Sequence, residues 1–143
     1  MKQQTVSGSF TSPENLHLTL AFIGESDRVS EIRAAIDRCA APPFEMAVSG
    51  TGHFGSIYWV GIEHNPKLKA LAENLHAELR QNGFEIENRE FKPHITLARQ
   101  VEASAPISLS IKRTAMTVTR ISLMKSERIR GKLTYTEVYG RKL

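Results

Sequence analysis

The sequence predicts an α+β fold built on antiparallel sheet, and three observations carry that reading. Apolar and polar residues alternate in several short stretches, the two-residue period of a strand whose faces meet different environments. Two other stretches switch to a three-and-four spacing, which makes a single apolar stripe along a helix. The order is strand, helix, hairpin, helix and then several strands, a mixed order unlike the regular strand-helix repeat of a parallel sheet.

In chain order, Leu16, Leu18, Leu20 and Phe22 alternate with His17, Thr19 and Ala21 and predict a strand with the leucines and Phe22 toward the core; Gly24 closes it. From Asp27 to Ala40, Val29, Ile32, Ile36 and Cys39 share one helical stripe, and Pro42-Pro43 ends the helix. This placement makes Cys39 a small core residue rather than a reactive thiol. Phe44, Met46 and Val48 alternate before Gly50-Thr51-Gly52, and Ser56 to Glu63 reads as a more buried strand, the pair suggesting a hairpin. The next helix has clear punctuation: Asn65 as N-cap, Pro66 at the first helical position, Leu68, Leu71, Leu75 and Leu79 as the buried stripe, and Gly83 as the stop. Strand-like alternation returns over Phe84 to Glu87, Phe91 to Arg99, Ile107 to Lys112, Met116 to Met124 and Leu133 to Tyr139.

Composition bounds the rest. The 143 residues fit a single domain over 1–143, and 41% apolar with 24% charged residues is ordinary for a globular protein, which excludes disordered, collagenous and coiled-coil classes. No apolar run is longer than Leu20-Ala21-Phe22-Ile23 or Ile57-Tyr58-Trp59-Val60, whereas a membrane span needs about 20 apolar residues. The N-terminal residues lack the apolar stretch of a signal peptide, and Cys39 is the lone cysteine, so the expected location is cytoplasmic and no intrachain disulfide can form. A net charge of +4 and a pI near 9.4 favour anionic partners such as RNA or phosphorylated metabolites. The densest basic stretch, Lys125 to Lys132, reads as a solvated loop.

One element occurs twice. His17-Leu18-Thr19-Leu20 and His94-Ile95-Thr96-Leu97 both have the form His-apolar-Thr-apolar. In a strand, residues i and i+2 share a face, so each tetrapeptide sets an imidazole beside a hydroxyl while its apolar residues point the other way. A single such histidine is ordinarily a hydrogen-bonded structural residue. Two of them, offered to one ligand, suit acid-base phosphoryl transfer: one imidazole takes the proton of the attacking oxygen and the other protonates the departing one. The threonine hydroxyls can donate to the non-bridging oxygens as charge builds there.

Pro13 to Gly24 around the first tetrapeptide and Phe91-Lys92-Pro93-His94-Ile95-Thr96-Leu97-Ala98-Arg99 around the second resemble the signature segments of the bacterial 2′-5′ RNA ligases, also described as RNA 2′,3′-cyclic phosphodiesterases, within the 2H phosphoesterases. Pro43-Phe44, Gly52-His53-Phe54, the Leu68 to Leu79 helix, Ile121 to Ser126 and Tyr135 are also similar. The resemblance implies a bilobed fold of two antiparallel sheets with outer helices related by pseudo-twofold symmetry, the two motifs facing one another across a central cleft. It implies metal-independent opening of a terminal 2′,3′-cyclic phosphate to a 2′-phosphate, with no cofactor, and a reverse reaction that joins ends through a 2′-5′ linkage. Carried over, His17 protonates the leaving 3′ oxygen, His94 activates water, and Thr19 and Thr96 hold phosphate oxygens; the sequence alone does not distinguish the two histidine roles. Arg99 resembles the arginine that closes the family's second motif and is a phosphate-binding candidate. In a regular strand it shares the face of Ile95 and Leu97, and a bulge or strand end would be needed to turn it.

Phe54, Phe91 and Tyr135 are candidates for stacking on a nucleobase, with core packing as the ordinary alternative. His53, His64 and His76 read as solvated loop or helix-surface residues. The stretch ahead of His17 is short and polar beside the strand and helix with which family members begin, so an N-terminal strand-helix unit is expected to be missing. A monomer is expected for the family, and self-association for this short form. The implied partners are RNA ends, tRNA fragments among them, or cyclic nucleotides, with no membrane. Competing readings are a phosphodiesterase for small cyclic phosphates such as ADP-ribose cyclic phosphate, a catalytically silent RNA-end-binding module, and a metal-dependent hydrolase using His17 and His94 as ligands. The last lacks an HExxH or clustered carboxylate and cysteine ligands.

Overall fold

The structure is a computed structural model and describes residues 7–11, 15–87, 89–102 and 111–143. It is α+β. The strands are β1 (Ser7–Phe10), β2 (Phe44–Phe54), β3 (Ile57–Ile62), β4 (His94–Glu102), β5 (Thr114–Val118), β6 (Arg120–Ile129) and β7 (Lys132–Lys142); the helices are α1 (Val29–Cys39) and α2 (Pro66–Gln81). One sheet is five-stranded in the order β1-β4-β3-β2-β5, and the other is the β6–β7 pair. The pairs β1–β4, β4–β3, β3–β2 and β6–β7 are antiparallel.

The chain divides into two compact units. The first, of residues 1–19, 46–64 and 92–116, carries β1, β3, β4 and most of β2 and β5. Both repeated tetrapeptides fall in it, apart from Leu20. Val60 and Ala98 are among its buried residues. Gly50, at φ 70, lets β2 run on where the expected strand stopped: the register passes from Val48↔Ile62 to Thr51↔Val60 with one extra residue on β2, the bulge that a left-handed glycine supplies.

The second unit, of residues 20–45, 65–91 and 117–143, holds α1, α2 and the β6–β7 hairpin. α1 packs on α2 and touches β6 and β7. Ile32, Ala35, Ile36 and Cys39 of α1 are buried, as are Leu68, Leu71, Ala72, Leu75 and Leu79 of α2. Burial pushes the Cys39 thiol up, in keeping with a packed, protonated side chain. α2 begins as the sequence indicates: Asn65 Oδ1 accepts from the Leu68 amide at 3.1 Å, Pro66 takes the first turn, and Gly83 leaves the helix at φ 84. At the other side of α1, Tyr139 of β7 donates to the Asp37 carboxylate and its ring lies 4.5 Å from the Arg33 guanidinium.

Several expectations are corrected. Leu16 to Phe22 forms no regular strand: Leu18 alone makes an antiparallel bridge, to Ile95, while Leu16 is 44% and Phe22 81% exposed. Alternation marks two faces but supplies no hydrogen-bonding partner, and here the partner is met at one residue. Phe84 to Glu87 is also not a strand, because the Arg80 guanidinium takes the Ile86 and Glu87 carbonyls that a neighbouring strand would otherwise satisfy. The expected strand over Ile107 to Lys112 lies outside the described residues as far as 110, and Ile111 and Lys112 are not in one. Met116 to Met124 is divided between β5 and β6. The basic stretch Lys125 to Lys132 is the tip of a hairpin rather than a loop, turning on Arg130 (φ 53) and Gly131 (φ 78). At the N-terminus, Ser7–Phe10 forms a strand on β4 where the polar sequence suggested none.

Candidate active site

The Leu18–Ile95 bridge sets the two tetrapeptides side by side. Because the bridge is antiparallel, His17 falls opposite Thr96 and Thr19 opposite His94. Leu18 and Ile95 share one face of this pairing, so the two imidazoles and two hydroxyls share the other. Residues directly opposite in such a pair have Cβ atoms about 5 Å apart and diagonal ones about 7 to 8 Å. The histidines stand on one diagonal and the threonines on the other, a spacing that leaves room for one phosphate between them.

Each imidazole is held by the backbone in the same way. His17 Nδ1 lies 2.6 Å from the Asn15 carbonyl and His94 Nδ1 lies 2.7 Å from the Lys92 carbonyl, in both cases the residue two positions upstream. A carbonyl only accepts, so Nδ1 carries the proton and donates it. Nε2 is then, in each ring, the nitrogen whose lone pair can take up a proton. His17 and Thr19 are exposed, whereas His94 and Thr96 are half-buried.

Arg99 reaches this face through an irregularity in β4. Trp59 is in register with Thr96 but Tyr58 is in register with Ala98, so Leu97 is an extra residue on β4. That bulge reverses the alternation after Thr96: Ala98, fully buried, takes the face of Tyr58, and Arg99, exposed, takes the face of Trp59, Thr96 and His94. All five candidate residues thereby belong to one face of one unit.

Two aromatic residues flank His94. Phe54 meets its imidazole edge-on, with ring centroids 5.5 Å apart at 89°, and Trp59 lies 6.1 Å away at 53°. Trp59 was not singled out by the sequence; a glycine within the neighbouring strand, Gly52, was the signal that a bulky group crosses the backbone there. Of the stacking candidates, Phe54 is beside the motif. Phe91 instead packs edge-on against His76 at 6.4 Å, and both, with Tyr135, belong to the other unit. His76 is not a solvated helix-surface residue but half-buried, with Nε2 2.7 Å from the Leu20 carbonyl. His53 is exposed and stacks on Tyr58 at 5.2 Å, and His64 is exposed.

Arg113 holds the Glu63 carboxyl below its usual range, and Arg120 with Ser122 brings Glu137 down to about 2. Among the described residues no cluster of three or more histidine, cysteine, aspartate or glutamate side chains could hold a metal ion, and no helix is long and apolar enough to cross a membrane.

Comparison with known proteins adds the family. Residues 9–130 match the model of the 2′-5′ RNA ligase superfamily. The RNA 2′,3′-cyclic phosphodiesterase of Thermotoga maritima is 39% identical over 100 residues, which cover 64% of this chain and 53% of that protein. The chain thus spans about half the length of that relative. The Escherichia coli protein of the same name is 30% identical over 135 residues, covering 91% of this chain and 77% of its own length. In structure, Escherichia coli LigT complexed with 3′-AMP aligns with a TM-score of 0.85 at 30% identity, over 95% of this chain and 81% of that one.

Proposed function

We propose that this chain, which belongs to the 2′-5′ RNA ligase superfamily, hydrolyses the terminal 2′,3′-cyclic phosphate of RNA to a 2′-phosphate by metal-independent acid-base catalysis. The observation that carries this reading is the Leu18–Ile95 bridge, with two Nε2 atoms and two hydroxyls on one face of the pairing. The names of the Thermotoga and Escherichia coli relatives and the 3′-AMP bound to LigT support a nucleotide end as the ligand.

In this mechanism His94 enters neutral at Nε2 and His17 enters protonated. A water loses a proton to His94 Nε2 as its oxygen attacks phosphorus. The bond from phosphorus to the 3′ oxygen breaks, and that oxygen takes the proton of His17 Nε2, leaving a 3′-hydroxyl and a 2′-phosphate. Thr19 and Thr96 donate to the non-bridging oxygens as their charge grows, and the Arg99 guanidinium offers a fork of donors to the same group. The two imidazoles then exchange protons with solvent. With the 5′-hydroxyl of a second RNA end in place of water, the same steps form a 2′-5′ linkage: the 5′ oxygen loses its proton to His94 and bonds to phosphorus while the 3′ oxygen leaves with the proton of His17. The assignment of acid and base follows the family.

The test is to incubate a short RNA ending in 2′,3′-cyclic phosphate with wild type, His17→Ala and His94→Ala, with and without chelator. Each variant should lose about 10²- to 10⁴-fold in turnover, chelator should change nothing, and kcat/KM should be bell-shaped with pH. Wild-type rates in folded variants, or a 3′-phosphate product, would overturn the proposal. Turnover confined to mononucleotide or ADP-ribose cyclic phosphates would point to the small-substrate reading.

A further inference from the structure

The indole of Trp59 lies against the sheet beside His94, and a glycine, Gly52, makes room for it. Trp59 is in register with Gly52 on β2 and with Thr96 on β4, so it shares the face of His94 and Thr96. A Cβ at Gly52 would stand 2.4 Å from Trp59 Cζ2 and 2.5 Å from Cη2, far inside carbon contact distance. Gly61 is the cross-strand neighbour of His94 itself. A Cβ there would be 3.5 Å from Trp59 Cζ3 and 2.9 Å from the Ser49 carbonyl. The ring therefore covers Gly52 and reaches toward Gly61. Phe54, with its centroid 5.1 Å from that of Trp59, is in contact with both Trp59 and the imidazole.

We propose that Trp59 is a positioning residue for His94: seated on Gly52 and backed by Phe54, its indole fixes the imidazole so that Nδ1–H stays on the Lys92 carbonyl and Nε2 faces the reacting phosphate. The functional side of this inference rests on the reading of His94 as a proton-transfer group. The carbonyl bond alone does not hold the ring, because water competes for both partners and a rotation about χ2 carries Nδ1 away from the carbonyl. Aromatic packing removes that rotation. The packing has an unusual feature: Trp59 Nε1–H is buried and finds no acceptor among the described residues. Phenylalanine would avoid that unmade hydrogen bond, so at this position the stability of the fold and the reach of the ring pull in opposite directions.

The experiment uses the full chain labelled with ¹⁵N-histidine. The His94 tautomer is read from its two ring-nitrogen shifts, alongside kcat, KM and thermal stability on an RNA oligonucleotide ending in 2′,3′-cyclic phosphate. In wild type His94 should be the Nδ1–H tautomer. Trp59→Leu should give a mixture of tautomers and lower kcat by about 10- to 100-fold, the scale of a misplaced catalytic group, with KM little changed. Gly52→Ala, which keeps the indole but lifts it off the strand, should do the same. Trp59→Phe should keep part of kcat while melting at or above the wild-type temperature. A His94 that stays wholly Nδ1–H in Trp59→Leu, or a kcat loss in Trp59→Leu and Trp59→Phe that only follows the folded fraction, overturns the inference. If Gly52→Ala does not fold, the two Trp59 variants decide alone. Should wild type not turn over the substrate, the phosphodiesterase reading fails, while the tautomer still tests whether Trp59 holds His94.

Discussion

The chemistry open to each histidine is set by a carbonyl two residues upstream. The Asn15 and Lys92 carbonyls accept from Nδ1 of His17 and His94, which makes Nε2 the nitrogen that can exchange a proton, and at His94 the proposed packing of Trp59 keeps that bond made. The repeated tetrapeptide was legible in the sequence because a two-residue period commits histidine and threonine to one face whatever the partner strand. The face of Arg99 was not, because it depends on the extra residue at Leu97, and that bulge exists only relative to the register of β3. Trp59 escaped notice for a related reason: its contact with His94 is across strands, and nothing local to Ile57–Ile62 announces it. Arg99 gives a direct test. A guanidinium that binds phosphate through two parallel N–H groups loses that geometry on replacement by lysine, although the charge remains. Arg99→Ala should raise KM for the cyclic phosphate by about 10- to 100-fold, the range of a charge-assisted hydrogen bond of about 1.5 to 3 kcal/mol, and Arg99→Lys should recover only part. Unchanged kcat and KM in Arg99→Ala would show that the side chain only faces solvent.

At the scale of elements, helices were read more faithfully than strands. α2 carries its own instructions in Asn65, Pro66, the leucine stripe and Gly83, all within a few residues of the structure they dictate. The segment around Leu18 does not, since a strand needs a neighbour and the alternation of Leu16 to Phe22 cannot say how many residues will find one. The β6–β7 hairpin shows what a found neighbour adds. Arg120 Nε and Nη2 reach the two Glu137 carboxylate oxygens at 2.9 and 3.0 Å, Ser122 Oγ donates at 2.6 Å, and Gly140 leaves the space the guanidinium fills, where a Cβ would lie 2.0 Å from Arg120 Nη2. The Arg120 fork is the main reason Glu137 titrates at about 2 rather than its ordinary 4.5, with Ser122 second. Its folded pKa is thus depressed. Its contribution to stability is therefore fully present above about 4.5 and is lost as pH falls toward 2. The melting temperatures of wild type and Glu137→Gln should differ by a constant amount near neutrality and converge between pH 4.5 and 2. A gap that is as wide at pH 2 as at pH 7 would mean that the fork contributes no charge-dependent stability.

For the molecule as a whole, the α+β class followed from the order of periods, but the strand order β1-β4-β3-β2-β5 did not, because pairing between distant segments leaves no mark on either one alone. The placement of Ser7–Phe10 beside β4 is of that kind: a short polar strand is recognisable only by the edge it covers. Net charge is the molecular property that the sequence states outright, and it bears on substrate length. At the β6–β7 tip Lys125, Arg128, Arg130 and Lys132 accompany the one acid Glu127, and Arg128 and Arg130 are both exposed. A strand of RNA that meets lysine and arginine side chains releases counterions on binding, so its affinity falls with salt by about 0.7 of a logarithmic unit per phosphate contact for each decade of salt concentration. A mononucleotide 2′,3′-cyclic phosphate can make only the contact at its own phosphate. The KM of an oligonucleotide should therefore rise more steeply with salt than that of the mononucleotide. Equal slopes for the two substrates would instead assign the chain to small cyclic nucleotides.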